Sequence, residues 1–153
     1  MQSVGVIGYN GREISKAFLR MSKGKASCYH ITEKQPHGPK VNVLVAAQAS
    51  PVLATVIPTL SKDDYLIVNA DEKEILPILK NACAKLITYG FNTRTCITAS
   101  SVTEDSLHVC IQRGFRGADG TDREPSEFSA KMNPGENAIS VLGAAAAWSV
   151  LQA

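Results

Sequence analysis

Val4-Gly5-Val6-Ile7-Gly8-Tyr9-Asn10-Gly11-Arg12-Glu13, close to the start of the chain, carries the clearest signal of fold class. Val4, Val6 and Ile7 are apolar and β-branched, which suits a buried strand. Gly8, Asn10 and Gly11 follow, and all three residue types tolerate positive φ, so a tight turn is expected. Ile14, Phe18 and Met21 then recur at helical spacing and predict a helix with one apolar face. Strand, glycine turn and helix in that order put free N–H groups and the positive end of a helix dipole beside the turn, an arrangement that suits phosphate. A phosphate loop continues from its second glycine with Lys and then Ser or Thr. Here those positions are Arg12 and Glu13. The loop keeps its architecture and changes its chemistry.

Outward from that stretch, strands and helices alternate. Ala26 to Ile31 reads as a second strand, Gln35 to Lys40 as a proline- and glycine-bearing loop, and Val41 to Ala47 as a central third strand. Ser50-Pro51 opens a short helix that Pro58 interrupts. Tyr65-Leu66-Ile67-Val68 is a fourth strand. Asp71 and Glu74 then fit a capping box for a helix from Glu72 to about Ala84, with Ile75, Leu79 and Cys83 on one face. Lys85 to Thr88 is a fifth strand. This alternation favours a parallel sheet with helices on its faces. The pattern then changes to short strands at Thr95 to Val102, Ser106 to Gln112 and Glu127 to Met132, with a hairpin-type connection from Arg116 to Pro125. A closing helix from about Glu136 to Leu151 leaves little polar face, so it is buried inside the fold or against another subunit.

Bulk composition narrows the function classes. The chain has 153 residues, 44% apolar and 20% charged, enough for one domain with an ordinary core. A formal net charge of +2 is too weak to imply nucleic acid or an anionic membrane. Arg113-Gly114-Phe115-Arg116-Gly117 reads as a hairpin end. No signal peptide or membrane span is indicated, so a cytoplasmic protein is expected. Cys28, Cys83, Cys96 and Cys110 form no C-x-x-C pair and read as small buried hydrophobes in a reducing compartment. His30, His37 and His108 lack metal-ligand spacing and read as ordinary surface or loop residues.

Four stretches in order resemble the ATP-binding central domain of the Mur ligases, the amide-forming enzymes of peptidoglycan precursor synthesis, a domain shared with folylpolyglutamate synthases. Gly8-Tyr9-Asn10-Gly11-Arg12-Glu13 is similar to the family's G-T-N-G-K-[TS]. Leu66-Ile67-Val68-Asn69-Ala70-Asp71-Glu72 is similar to V-V-N-A-D-D. Leu86-Ile87-Thr88-Tyr89-Gly90-Phe91 is similar to V-I-T-Y-G-F. Gly135-Glu136-Asn137-Ala138-Ile139-Ser140-Val141-Leu142-Gly143-Ala144-Ala145 is similar to the helix start G-x-H-N-x-x-N-A-L-A-A. The resemblance implies an α/β, P-loop-like three-layer fold: a mostly parallel sheet with a C-terminal antiparallel strand group. It covers residues 1–153 as a single domain, without the family's flanking substrate-binding and C-terminal domains. It also implies a candidate site for ATP or ADP with magnesium, made of Gly8, Tyr9, Asn10, Gly11, Arg12, Asn69, Asp71 and Asn137.

The departures from the family weaken that site. Glu13 stands where the family has a magnesium-binding hydroxyl. Against a phosphate some 4 Å away a carboxylate costs up to ~4 kcal/mol at surface-like screening. Ser50-Pro51-Val52-Leu53-Ala54 lacks the acid and the His of the family's S-P-[DE]-H-L, and Ser140 stands for the second Asn of the final motif. Amide formation through an acyl phosphate needs metal to neutralise the transferring group. The expectation is a non-catalytic Mur-ligase-like domain with a degenerate phosphate loop, a binding or regulatory protein tied to cell-wall precursor metabolism. It would act on a protein partner or on itself through the apolar closing helix and Trp148. Two alternatives stay open: a residual nucleotide-binding module, and a ligase component completed by a partner chain. The bland readings stay open too. The glycine turn can be purely structural, Asp71 and Asn137 can be helix caps, and Tyr9 and Tyr89 can be rim or core packing. Glu13→Thr is expected to raise nucleotide affinity by isothermal titration; unchanged or weaker binding would mean that the carboxylate is not the obstacle.

Overall fold

β1 (Ser3–Ile7) leads through the glycine turn into α1 (Gly11–Ser22). β2 (Ser27–His30) and β3 (Val43–Ala46) follow, then α2 (Pro51–Val56), β4 (Tyr65–Asn69) and β5 (Lys85–Tyr89). These five strands are parallel throughout, in the order β2-β1-β3-β4-β5. β6 (Ile97–Val102) extends the sheet parallel to β5 through the Tyr89–Ile97 pair, and β7 (Ser106–Ile111) adds antiparallel to it. β8 (Phe115–Arg116) and β9 (Asp122–Arg123) form a separate hairpin. β10 (Ser126–Lys131) then returns antiparallel to β7 as the last strand of the eight-stranded sheet, and α3 (Ala138–Leu151) follows it. This computed structural model describes residues 2–34 and 40–152. The loop expected at 35–40 falls, but for its last residue, outside them, as does His37. The parallel sheet with an attached antiparallel group is therefore formed as the sequence predicts.

Strand alternation divides the apolar residues between two faces. Val43 and Val45, with Val4 and Val6, turn toward α1 and α3. Leu44 and Ala46, with Leu66 and Val68, turn toward Val52, Leu53 and Val56 of α2 and toward Ile75. That second layer stops short of the antiparallel strands. In β7 the residues alternate buried and half-buried from Ser106 to Ile111, so one face of that part of the sheet is open.

Three sequence expectations are corrected. The segment after β4 is not an α-helix with a capping box but a run of 3-10 turns, Lys73–Asn81. Pro77 lies inside it and cannot donate an N–H to an α-helical ladder. Only Ile75 of the expected apolar face is buried, and Cys83 is exposed. The other three cysteines are half-buried, so none is the buried hydrophobe expected; all four are free thiols. Burial pushes the Cys28 and Cys96 thiols up, so neither is an activated nucleophile. The third correction concerns α3. Its apolar surface is covered within the chain: every residue from Ser140 to Ala147 is buried, and so are Ser149, Val150 and Leu151. It packs across β3 to β7 on one side and against α1 on the other. Trp148 is the half-buried exception, edge-on to Phe18 with ring centroids 6.2 Å apart. The helix is the core of the fold and not a free partner surface.

The hairpin β8–β9 fastens the far end of this helix. Helix C-termini leave carbonyls without intrahelical donors. Ala118 N donates to Val150 O at 2.8 Å. Arg123 Nε donates to Ser149 O at 2.7 Å, and Nη2 reaches Val150 O at 3.3 Å and Gln152 O. The Arg123 side chain is 11% exposed, and its guanidinium is steadied by Asp119 Oδ1, 3.0 Å from Nη1. A cation at a helix C-terminus also complements the dipole. Truncation at Arg123→Ala is expected to cost about 2–3 kcal/mol, since hydrogen bonds to charged groups are worth about 1.5–3 kcal/mol. That corresponds to a Tm lower by roughly 5–10 °C. Arg123→Lys should recover only part of the loss, because an ammonium lacks the planar fork. Urea denaturation of the three proteins measures it, and an unchanged midpoint for the alanine variant refutes the latch.

Candidate functional site

The carboxyl edge of the parallel strands gathers the loops after β1, β3, β4 and β5 together with the start of α3. In open α/β sheets ligands bind at this edge, where the strand order reverses. Here the reversal lies at β1, with β2 on one side and β3 on the other.

The glycine turn is built by close approach. Gly8 has φ +144°, and a Cβ there would also lie 2.2 Å from Gln48 Oε1. Asn10 and Gly11 are not in the left-handed region. Gly11 is needed for space instead: a Cβ would lie 2.3 Å from His30 Cδ2. Gly11 N donates to Gly8 O at 3.0 Å, and His30 Nε2 is 2.9 Å from the same oxygen. A carbonyl only accepts, so Nε2 carries the hydrogen. His30, read from sequence as ordinary, thus pins the turn. Nothing in its spacing signals this, because it comes from the next strand.

Each residue of the candidate site has a definite place. Tyr9 is 86% exposed and projects from the turn. Asn10 starts α1 without a side-chain cap; its Nδ2 donates to Ser140 Oγ of α3 at 2.8 Å. Arg12 is exposed and makes no ion pair with a described residue. The backbone N–H groups of Arg12 and Glu13, in the first turn of α1, have no partner among the described residues. Asn69 is buried; its Nδ2 donates to Ala47 O at 3.2 Å and its Oδ1 accepts from Asp71 N at 3.0 Å. Asp71 is not the cap expected. Its two carboxylate oxygens accept from Phe91 N at 2.8 Å and Asn92 N at 3.2 Å, bracing the loop after β4 against the loop after β5. Asn137 is a cap: its Oδ1 accepts from Ile139 N at 3.2 Å.

Glu13 has a partner that no spacing in the sequence announces. Its carboxylate accepts from Asn137 N, at the start of α3. It lies in the first turn of α1 and serves the N-terminus of a second helix. A second tie runs alongside. Arg20 Nη1 and Nη2 each meet a carboxylate oxygen of Glu136 at 2.8 Å, and Asn133 N donates to Glu136 Oε1 at 2.7 Å.

Three buried polar atoms at this edge have no partner among the described residues: Asn10 Oδ1, Gln48 Oε1 and Tyr89 Oη. Tyr89 is fully buried, so of the two tyrosines only Tyr9 reaches the rim. Burial, then the nearby carboxylates Asp71 and Glu72, push the Tyr89 phenol up, and it stays protonated. A cleft of about 380 Å³ opens between the loops after β1, β2 and β3, lined among others by Gly8, Tyr9, His30, Gln48 and Ser50. Among the described residues, no group of three or more His, Cys, Asp or Glu side chains is placed to hold a metal ion. No helix among them is long and apolar enough to cross a membrane.

Strand order, glycine turn and enclosed last helix can be compared with known folds. No family model matches the sequence, and no curated protein matches it. Solved structures do. MurF ligase from Thermotoga maritima, in complex with ADP, superposes with a TM-score of 0.61 at 12% identity, over 97% of this chain and 44% of that one. A murein peptide ligase, Mpl, from Psychrobacter arcticus 273-4 superposes with a TM-score of 0.69 at 9% identity, again over 97% of this chain and 44% of that one. The fold is Mur-ligase-like. The chain spans less than half the length of these Mur ligases.

The Arg20–Glu136 clasp gives the site a pH signature. Burial alone would push the Glu136 carboxyl up, but the Arg20 guanidinium and the Asn133 N–H outweigh it and hold the group below its ordinary value of 4.5. The unfolded chain therefore binds the proton first as pH falls. The stabilisation from Glu136 is fully present above its ordinary value and is lost as pH drops through the lower folded value. Glu136→Gln should reduce Tm at pH 7 while narrowing its difference from the native protein by pH 3. Scanning calorimetry across that range tests this, and a gap that stays constant with pH refutes it.

Proposed function

We propose that this chain is a Mur-ligase-like domain that forms no amide bond with its own residues and acts as a binding or regulatory protein in cell-wall precursor metabolism. One observation carries the reading. The carboxylate and amides that the resemblance assigns to a magnesium nucleotide are engaged within the chain: Asp71 on two backbone N–H groups, Asn69 on Ala47 O and its own loop, and Asn137 as the cap of α3, while Glu13, which stands in place of the family's hydroxyl, accepts from Asn137 N. The residues present do not fit a magnesium-bound triphosphate. Glu13 replaces the hydroxyl with a charge of the wrong sign for phosphate, and the described residues offer no acidic or histidine cluster in its place. No reaction step is therefore assigned to the site. The link to cell-wall precursors rests on likeness to a MurF ligase and a murein peptide ligase.

A specific observation favours a second reading, residual phosphate or nucleotide binding. Arg12 and two N–H groups of α1 have no partner among the described residues, and the first neighbour holds ADP. Fluorimetric melting with magnesium-ATP, ADP and inorganic phosphate, paired with an ATP hydrolysis assay, separates the two. A site with Kd near 50 µM would raise Tm by roughly 5–10 °C at 5 mM ligand. The expected result is no shift with any of the three and no turnover. A shift abolished by Arg12→Ala establishes the second reading. Turnover abolished by the same change overturns the non-catalytic assignment and returns the chain to the ligases, alone or as a component completed by a partner.

A further inference from the structure

β10 ends the sheet with one edge unpaired. Which of its groups face outward follows from one bond. Met132 N donates to Asp105 O at 3.0 Å, so in the register of β10 on β7 the bonded pairs are Ala130–Leu107, Phe128–Val109 and Ser126–Ile111. Glu127, Ser129 and Lys131 then turn their N–H and C=O groups away from β7. Lys131 O agrees with this phase, since it accepts from Arg20 Nη2 at 2.9 Å. The other outward groups of these three residues have no partner among the described residues. Beside them a groove of about 540 Å³ separates β10 from the end of α1, with Met21, Phe128 and Trp148 lending it apolar surface.

Charged residues ordinarily shield such an edge from pairing. Here their order selects a partner: the same strand running the other way. Outward residues must meet outward residues, so a two-fold axis can pass through an outward pair at Glu127, Ser129 or Lys131, or through an inward pair at Phe128 or Ala130, which sets Glu127 or Lys131 against Ser129 and leaves the charge unmatched. An axis at Glu127 sets two glutamates directly opposite, and one at Lys131 sets two lysines opposite; both are unfavourable. An axis at Ser129 sets Ser129 against its copy and places Glu127 opposite Lys131 of the second copy, twice by symmetry. Opposed Cα atoms in such bonded pairs lie about 5.5 Å apart, close enough for the charges to attract. The same register puts Phe128 opposite Ala130 of the second copy on the inner face, beside Trp148.

We propose that two copies of this chain pair antiparallel along β10 about a two-fold axis at Ser129, joining their sheets into one. This strand edge, and not the enclosed α3, is the self-association surface. The pairing is independent of whether the glycine turn binds phosphate.

Size-exclusion chromatography with light scattering on the full chain, from micromolar to submillimolar concentration, tests it. The native protein is expected to reach the mass of two chains. Ser129→Pro removes an outward N–H and should give a monomer, with circular dichroism and Tm near native because an edge strand tolerates proline facing away from its ladder. Glu127→Lys and Lys131→Glu should each weaken the dimer by about tenfold or more in Kd. The double exchange, E127K with K131E, should restore it. A native protein that stays monomeric overturns the proposal. So does a dimer that survives Ser129→Pro, or a double exchange no tighter than its single variants.

Discussion

A helix that is apolar on every side has one stable place, and the rest of this molecule is arranged to provide it. α3 lies enclosed between the sheet and α1, and its valines and leucines each gain about 1.5–3 kcal/mol by leaving water. Enclosure raises a difficulty at both ends, where backbone groups lack intrahelical partners. At the N-terminus the donors are met by the side chain of Asn137 and the carboxylate of Glu13. At the C-terminus the acceptors are met by Ala118 N and the Arg123 guanidinium. The small hairpin β8–β9 and the first turn of α1 are thus two solutions to one problem.

That constraint explains the altered glycine turn. Asn10 and Glu13 sit where a nucleotide loop would direct its groups at phosphate. Their side chains point instead to Ser140 and Asn137. Arg20, two turns on in α1, reaches Glu136 just before α3 and Lys131 O at the sheet edge. The far edge of the sheet therefore curls back toward α1, and the groove beside β10 is what the curl leaves open.

The sheet was legible in the sequence because its signals are local. Runs such as Val43 to Ala46 and Tyr65 to Val68 are apolar at every position, and alternation in Ser106 to Ile111 marks a strand open on one face. The 3-10 segment reads as a helix because Ile75, Leu79 and Cys83 keep helical spacing, while Pro77, after Ile75, removes the donor that spacing presumes. The site was half legible. The turn's glycines are visible, but Gly11 serves the His30 ring and not a left-handed backbone, a pairing between the start of α1 and the end of β2. Glu13 to Asn137 and Asp71 to Phe91 join residues far apart in the chain, and no spacing rule reports such a bond. Gln48 and Arg123 carry no signal in the sequence, because neither burial nor a reach to distant carbonyls leaves a mark in composition.

The position of Glu13 also bears on how an anion would meet the turn. A carboxylate near a helix N-terminus gains ~0.3–1 kcal/mol, and this one sits at the start of two helices. A phosphate entering the turn would draw on the same α1 dipole end, at a similar ~0.3–1 kcal/mol, and on a charged hydrogen bond from Arg12 of about 1.5–3 kcal/mol. Against these stands repulsion from Glu13 of up to ~4 kcal/mol at 4 Å. The sum is near zero or unfavourable, even though the turn keeps its shape and its free N–H groups. The carboxylate that completes the start of α3 thus also weighs against phosphate in the turn, and one side chain serves both the packing of the last helix and the electrostatics of the glycine turn.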